Sequence, residues 1–233
     1  MTLKAVLFDF NGVIIKDEAI HRDLIDEILI SENLRSKPGE YRQFCLGRSD
    51  RACLQKILTN RGREVRDGYL TQLVNRKAQA YQQALDKLEE LPIYPGLEDF
   101  IQKLRLHEVK LAIVSDALRT EVELVLNRTG LLEHFSVIIA ADDITTSKPE
   151  PDGYLLAIER LNLKASNCLA IEDTPAGIQA ARSAGVQVVG VAHTYPFHML
   201  QRWTNWAVDY FTDLEVERVQ QIFSRTTPQA TAG

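Results

Sequence analysis

Asp9 stands inside the apolar run AVLFDFNGVII, where an ionised carboxylate is costly unless a cation or hydrogen-bond donors pair with it. Two further carboxylates, Glu172 and Asp173, end the apolar run of CLAIEDTPAGIQAA, and adjacent like charges at a strand end want a cation. Lys148, in TTSKPEPDGYLL, lies close to the start of a helix, the end that disfavours a cation and favours an anion. Ser115 closes VKLAIVSDA with a hydroxyl and neighbouring amides that could hold a phosphate at the following helix N-terminus. Each residue alone has a plainer explanation. Asn11-Gly12 could be a hairpin turn with Asp9 exposed beside it, Asp173 could support only the helix start, Lys148 could be a solvated loop residue and Ser115 an ordinary cap. Together the four positions fit one scheme, a site that gathers a cation and a phosphate.

The elements that must position them follow from hydrophobic period. Short runs rich in branched residues at Lys4 to Phe10, Val109 to Ser115, Ser136 to Ala140, Cys168 to Ile171 and Gln187 to Val191 suit buried parallel strands. Amphipathic stretches separate them: Pro95 then a helix to Leu106, Pro151 then a helix to Leu161, and Pro175 then a helix to Ser183 with Gly185 beyond it. Thr174 is the expected N-cap of the last of these. The alternation predicts an α/β fold with a doubly wound, mostly parallel Rossmann-like sheet, in which ligands bind beyond the carboxyl ends of the strands. Ala207 to Phe211 adds an expected edge strand and Leu214 to Phe223 a closing helix.

From about Asp17 to Leu91 the period is helical, which predicts an inserted all-helical cap. One helix would bury Ile20, Leu24, Ile28 and Leu29, a second would start at Ser49 as N-cap and bury Leu54, Ile57 and Leu58, and a third would run from Asp67 to Glu90. The expected division is a core of residues 1–15 and 92–224, a cap of residues 16–91 and a flexible tail of residues 225–233.

A net charge of -5 without a long Lys/Arg run gives no electrostatic footprint for nucleic acid or an anionic membrane, so a small soluble partner is expected. No apolar run approaches membrane-spanning length, the N-terminal stretch lacks a small-residue cleavage site, and a cytoplasmic protein is expected. Cys45, Cys53 and Cys168 have neither metal-ligand spacing nor a CxxC pair and read as reduced, mostly structural thiols.

DFNGVI, VSDA, SKPEPD and AIEDTPAGIQAA, in this order and setting, resemble the four motifs of the haloacid dehalogenase superfamily. The helical insertion directly after the first motif further resembles the β-phosphoglucomutase-like branch with an α-helical cap, and the likeness covers nearly the whole chain. The resemblance implies that Asp9 attacks phosphorus in line to form an aspartyl-phosphate, with Ser115 and Lys148 holding the phosphoryl oxygens. It implies Mg2+ bound by the Asp9 carboxylate, the backbone carbonyl of Asn11 and Asp173, with Glu172 acting directly or through water. The cap loop FCLGRSDRACL resembles the family's specificity loop, so Gly47, Arg48 and Arg51, with Asp116 of the second motif, are expected to meet the substrate. Hinges are expected near Ile15 to Glu18 and Leu91 to Tyr94.

One position departs from the family pattern. Its phosphatases and mutases carry a second Asp two positions after the nucleophile, and this chain has Asn11, which cannot exchange that proton. Glu18 and His21, at the cap hinge, are the expected substitute proton carriers and substrate neighbours. The cap arginine with which the mutase grips phosphate is replaced by Asp50, which counts against a mutase. The leading expectation is a slow phosphomonoester hydrolase, monomeric, acting on a small phosphorylated metabolite such as a sugar phosphate. The alternatives are a weakened phosphate-metabolite binding or regulatory protein, a phosphomutase- or phosphonatase-like relative, or a hydrolase of another bond.

Overall fold

A computed structural model describes residues 2–225, so most of the expected tail lies outside the described residues. The chain runs β1 (Ala5–Phe8), α1 (Glu18–Ser31), α2 (Glu40–Phe44), α3 (Asp50–Asn60), α4 (Asp67–Asp86), α5 (Leu97–Leu106), β2 (Lys110–Val114) and α6 (Arg119–Arg128). It continues through β3 (Val137–Ile139), α7 (Asp152–Leu161), β4 (Cys168–Glu172), α8 (Pro175–Ser183), β5 (Gln187–Val191), α9 (Phe197–Leu200), β6 (Trp206–Val208) and α10 (Val216–Arg225). The strands form one sheet in the order β3-β2-β1-β4-β5-β6, every pair parallel. Each strand is a near-continuous apolar run because helices cover both faces.

The two faces differ in side-chain size. Val6, Phe8, Leu111, Ile113, Leu169 and Ile171 point to one side and pack with Phe100 and Ile101 of α5, Val122 and Val125 of α6 and Phe223 of α10. Ala5, Ala112, Cys168 and Ala170 point to the other, where their small volume lets α7 and α8 approach through Tyr154, Ala157, Ile178 and Ala181. The expected edge strand is confined to three residues, and Phe211, predicted within it, instead turns inward to the α5 side of the core.

The insertion holds its own apolar cluster, in which Ile25, Ile28 and Leu29 of α1 meet Leu54, Ile57 and Leu58 of α3 and Leu70, Leu73 and Val74 of α4. Ser49 caps α3 by accepting the Ala52 N–H at 3.3 Å. The two connections to the sheet pair with each other, through an antiparallel bridge between Ile15 and Ile93 and a Lys16 N–H bond to Pro92 O at 2.8 Å. One expectation is corrected: Cys45 and Cys53 are joined in a disulfide, their Cα atoms 4.4 Å apart, and of the three cysteines Cys168 alone is free, and buried. The turn from α2 into α3 folds Cys45 back against the first turns of α3, a proximity that a sequence separation of eight does not disclose. Among the described residues no helix is long and apolar enough to cross a membrane.

Candidate active site

Register assembles the centre. Phe8 lies level with both Ile113 and Ile171, so Asp9 leaves β1 at the carboxyl edge of the sheet beside Glu172, with Ser115 immediately after β2. Asp9 N–H donates to Ile171 O at 3.0 Å, and Asp9 Oδ1 accepts the Phe10 N–H at 2.7 Å. Thr174 caps α8 by accepting the Gly177 N–H at 3.2 Å, with Pro175 following at the first position, and this start fixes the Glu172-Asp173 step.

Lys148 crosses to this edge from the loop before α7. Its Nζ lies 2.7 Å from Asp9 Oδ1 and 2.7 Å from Glu172 Oε1, and the side chain is buried. Asp116 anchors the loop by accepting the Lys148 N–H at 2.9 Å. Tyr154 donates to Glu172 Oε1 at 2.6 Å, and the Thr194 hydroxyl donates to Asp173 Oδ2. Glu172 Oε2 and Asp173 Oδ1 are buried and meet no hydrogen-bond donor. Asp9, Glu172 and Asp173 each offer an oxygen within 4.8 Å of the others.

Charge at this cluster is unbalanced. Burial, then the Asp9 carboxylate, push the Glu172 and Asp173 carboxyls above their usual range, while Lys148 pulls them back only in part. Burial alone would lower Lys148; the carboxylates of Asp9, Glu172 and Asp116 outweigh it and hold the ammonium above its ordinary value. Burial pushes Asp116 up to about 6 against the pull of Lys148. Three buried carboxylates, one ammonium and two orphaned oxygens fit a hard divalent cation, which takes oxygen ligands and supplies the missing positive charge.

Two tests follow from this arrangement. Lys148→Met leaves two buried carboxylates without their partner, and urea unfolding should show a loss of ~3–5 kcal/mol, partly recovered by added divalent cation. Gly12 has φ +79°, and a Cβ there would sit 2.0 Å from Asp173 Oδ2. Gly12→Ala should therefore displace Asp173 and weaken divalent-cation affinity by ~10–100-fold in calorimetric titration.

Asn11 is held by neighbours from the insertion. Its Nδ2 donates to Asp17 Oδ2 at 2.8 Å and lies 3.0 Å from His21 Nε2. Asp17 Oδ2 is also 3.1 Å from His21 Nε2 and accepts the Tyr81 hydroxyl at 2.5 Å, and the His21 ring stacks on Tyr81 at 4.6 Å. Burial opposes ionisation of Asp17, but His21, Tyr81 and Asn11 hold its carboxyl below the usual range. Burial and Lys77 pull His21 down, and Asp17 outweighs them, leaving its pKa raised. Glu18 is raised by burial against a hydrogen bond from Tyr41.

A cavity of about 50 Å³ opens between the sheet edge and the insertion, and Asp9, Asn11, Glu18, His21, Gly47, Arg48, Asp116, Lys148 and Asp173 all line it. Gly47 comes so close to the core that a Cβ would meet Thr174 Oγ1 at 2.6 Å. Ser115 is buried at the same edge, its hydroxyl accepting the Ala117 N–H at 3.0 Å. Arg51 does not join them: it pairs with Asp67 at 2.5 Å and lines a separate cavity of about 350 Å³.

Several contributors escaped sequence reasoning. Thr194 lies three residues beyond the end of β5, so a search for polar residues in the loop after each apolar run, and not only at its last position, could have found it. Lys77 interrupts the stripe Leu70, Leu73, Val74, Tyr81, Leu85 on α4, a signal equally available. Tyr154 gave none, since a buried tyrosine on α7 looks like any core aromatic.

The model of the haloacid dehalogenase-like hydrolases matches residues 6–191. The chain belongs to that family. Within it, β-phosphoglucomutase of Bacillus subtilis is 28% identical over 200 residues, 83% of this chain and 85% of the relative. A phosphorylated carbohydrates phosphatase of Thermotoga maritima is 27% identical over 194 residues, 82% of this chain and 87% of the relative. A crystal structure of β-phosphoglucomutase from Clostridium difficile superposes with a TM-score of 0.87 at 24% identity, covering 96% of this chain and 98% of the other. The chain thus resembles β-phosphoglucomutases in sequence as well as in fold.

Proposed function

We propose that the chain is a Mg2+-dependent phosphomonoester hydrolase of a small phosphorylated sugar, in the cytoplasm, with residues 16–91 acting as a cap that closes over Asp9. The observation that carries this reading is the pair of orphaned oxygens on Glu172 and Asp173 beside an Asp9 carboxylate oriented by Lys148. The names of the phosphatase and mutase relatives supply the class of substrate.

The chemistry follows from these residues. Asp9 attacks phosphorus as the bond to the leaving oxygen breaks, and water later attacks the aspartyl-phosphate to release phosphate. Lys148 and the Phe10 N–H fix the plane of the Asp9 carboxylate, and Lys148 and the Ser115 segment meet the negative phosphoryl oxygens. Asp9, the Asn11 carbonyl and Asp173, with Glu172 beside them, would hold Mg2+, which would supply charge neutralisation of the phosphoryl group. Asn11 cannot protonate the leaving oxygen or activate water, so among the cavity residues Glu18 and His21 are the proton carriers, and turnover is slow. p-Nitrophenyl phosphate with Mg2+ tests the proposal: nitrophenolate release that stops on chelation is expected, and release indifferent to chelator would overturn it.

A second reading, a phosphate-metabolite binding protein, draws on the tie of Asn11 to Asp17, which leaves no acid at that position. A single stoichiometric burst without further turnover would favour it.

A further inference from the structure

Asp50 and Glu121, with the buried Lys77 behind them, form one part of the cavity lining, which also carries Glu18, Arg48 and Asp116. Lys77 lies on α4, 1% exposed, with its Nζ 2.8 Å from Asp50 Oδ2 and 3.1 Å from Glu121 Oε1, and 4.8 Å from the centre of the Tyr81 ring. Asp50 and Glu121 both line the cavity. The lysine therefore faces the ligand space only through two carboxylates that already neutralise it. Arg51 is turned to Asp67 and Thr71, and Arg61 pairs with Glu40 at 2.6 Å, so neither offers a charge here. Arg48 remains, and its charge acts on the Asp116 carboxyl. Asp50 and Glu121 thus set two carboxylates against the one ammonium of Lys77 in this part of the lining, whereas Lys148 stands with Asp9 and Glu172.

Carboxylates only accept hydrogen bonds, so the groups they complement are donors. Resting on the phosphomonoesterase reading, we propose that the substrate is a monophosphate whose far end carries hydroxyl or amino groups and no second anion, with Asp50 as the residue that sets this preference. Asp50 does so twice: it adds a negative charge to the cavity lining and holds Lys77, a buried cation that could otherwise grip a second phosphate. Glu121 is the second half of the clamp and ties it to the core, since its Oε2 also accepts the Leu118 N–H at 3.3 Å at the start of α6. The specificity element therefore links α3 and α4 of the insertion to α6 of the core.

The test compares a hexose monophosphate, an amino-hexose monophosphate and a hexose bisphosphate on the full chain with saturating Mg2+. The native protein should favour either monophosphate over the bisphosphate by about tenfold or more in kcat/KM. Asp50→Arg should shift that ratio toward the bisphosphate by ~10²-fold, and Asp50→Asn should shift it the same way by less. Calorimetric binding of the same three ligands to Asp9→Asn protein reads the ratio without turnover. A native protein that fails to hydrolyse any of them would overturn the hydrolase reading, while its binding ratio still decides this one. Preference for the bisphosphate in kinetics or binding, or a ratio unmoved in both folded Asp50 variants, overturns the proposal. An amino-hexose preferred over the hexose would support it and identify the acidic groups as ammonium ligands.

Discussion

Asp9→Asn is expected to lower phosphomonoester turnover by about 10⁴-fold or more while leaving the protein at least as resistant to urea as the native chain. The two halves have separate causes. Asparagine has no anionic oxygen to attack phosphorus, and loss of a covalent nucleophile leaves only binding and electrostatic contributions. Stability should hold because Asp9 is one of three crowded carboxylates, and after burial its charge is the strongest influence pushing both Glu172 and Asp173 upward. Lys148 keeps Glu172 as its partner when Asp9 is neutral, so the ammonium is not stranded. Steady-state assays alongside urea unfolding check both halves, and a variant that loses activity only because it unfolds would contradict the account.

Asn11→Asp is expected to raise kcat on an alkyl phosphate by ~10²-fold or more when combined with Asp17→Asn, the range that general acid and base groups supply. Asn11→Asp alone should gain less. Asn11 Nδ2 now donates to Asp17 Oδ2 at 2.8 Å, and a carboxylate in that place would face a buried carboxylate. Asp17→Asn replaces the conflict with an amide that can donate. Nitrophenolate needs little protonation on leaving, so the gain should be larger for an alkyl phosphate than for p-nitrophenyl phosphate, and that ratio isolates the acid role. Equal activity in the native protein and the double variant would mean that Glu18 or His21 already transfers the proton at full efficiency.

The strands and the residues closing them were readable because a parallel sheet covered on both faces demands apolar runs, and a carboxylate at the end of one stands out. Asp9, Ser115, Glu172 and Asp173 were found this way, and the structure brings Lys148 to them from a loop that its motif had marked. What was not readable depends on long-range packing. Asp17 looked like a hinge residue, yet it is fully buried and receives Asn11, His21 and Tyr81, the last from 64 residues away. Arg48 and Arg51 are equivalent in sequence as loop cations, and it is the position of Asp67 and Thr71 on α4 that takes one of them away from the cavity. The Cys45–Cys53 link likewise depends on how α2 turns into α3.

The most direct measurement is chemical trapping of the nucleophile. The native protein is mixed with p-nitrophenyl phosphate and Mg2+, quenched in acid within the first turnover, treated with borohydride and digested for mass spectrometry. A phosphoryl adduct on the peptide holding Asp9, converted by borohydride to homoserine at that residue and absent after chelation, is the expected result. Turnover with no adduct at Asp9, or an adduct on another residue that survives in Asp9→Asn protein, would contradict phosphoryl transfer through Asp9.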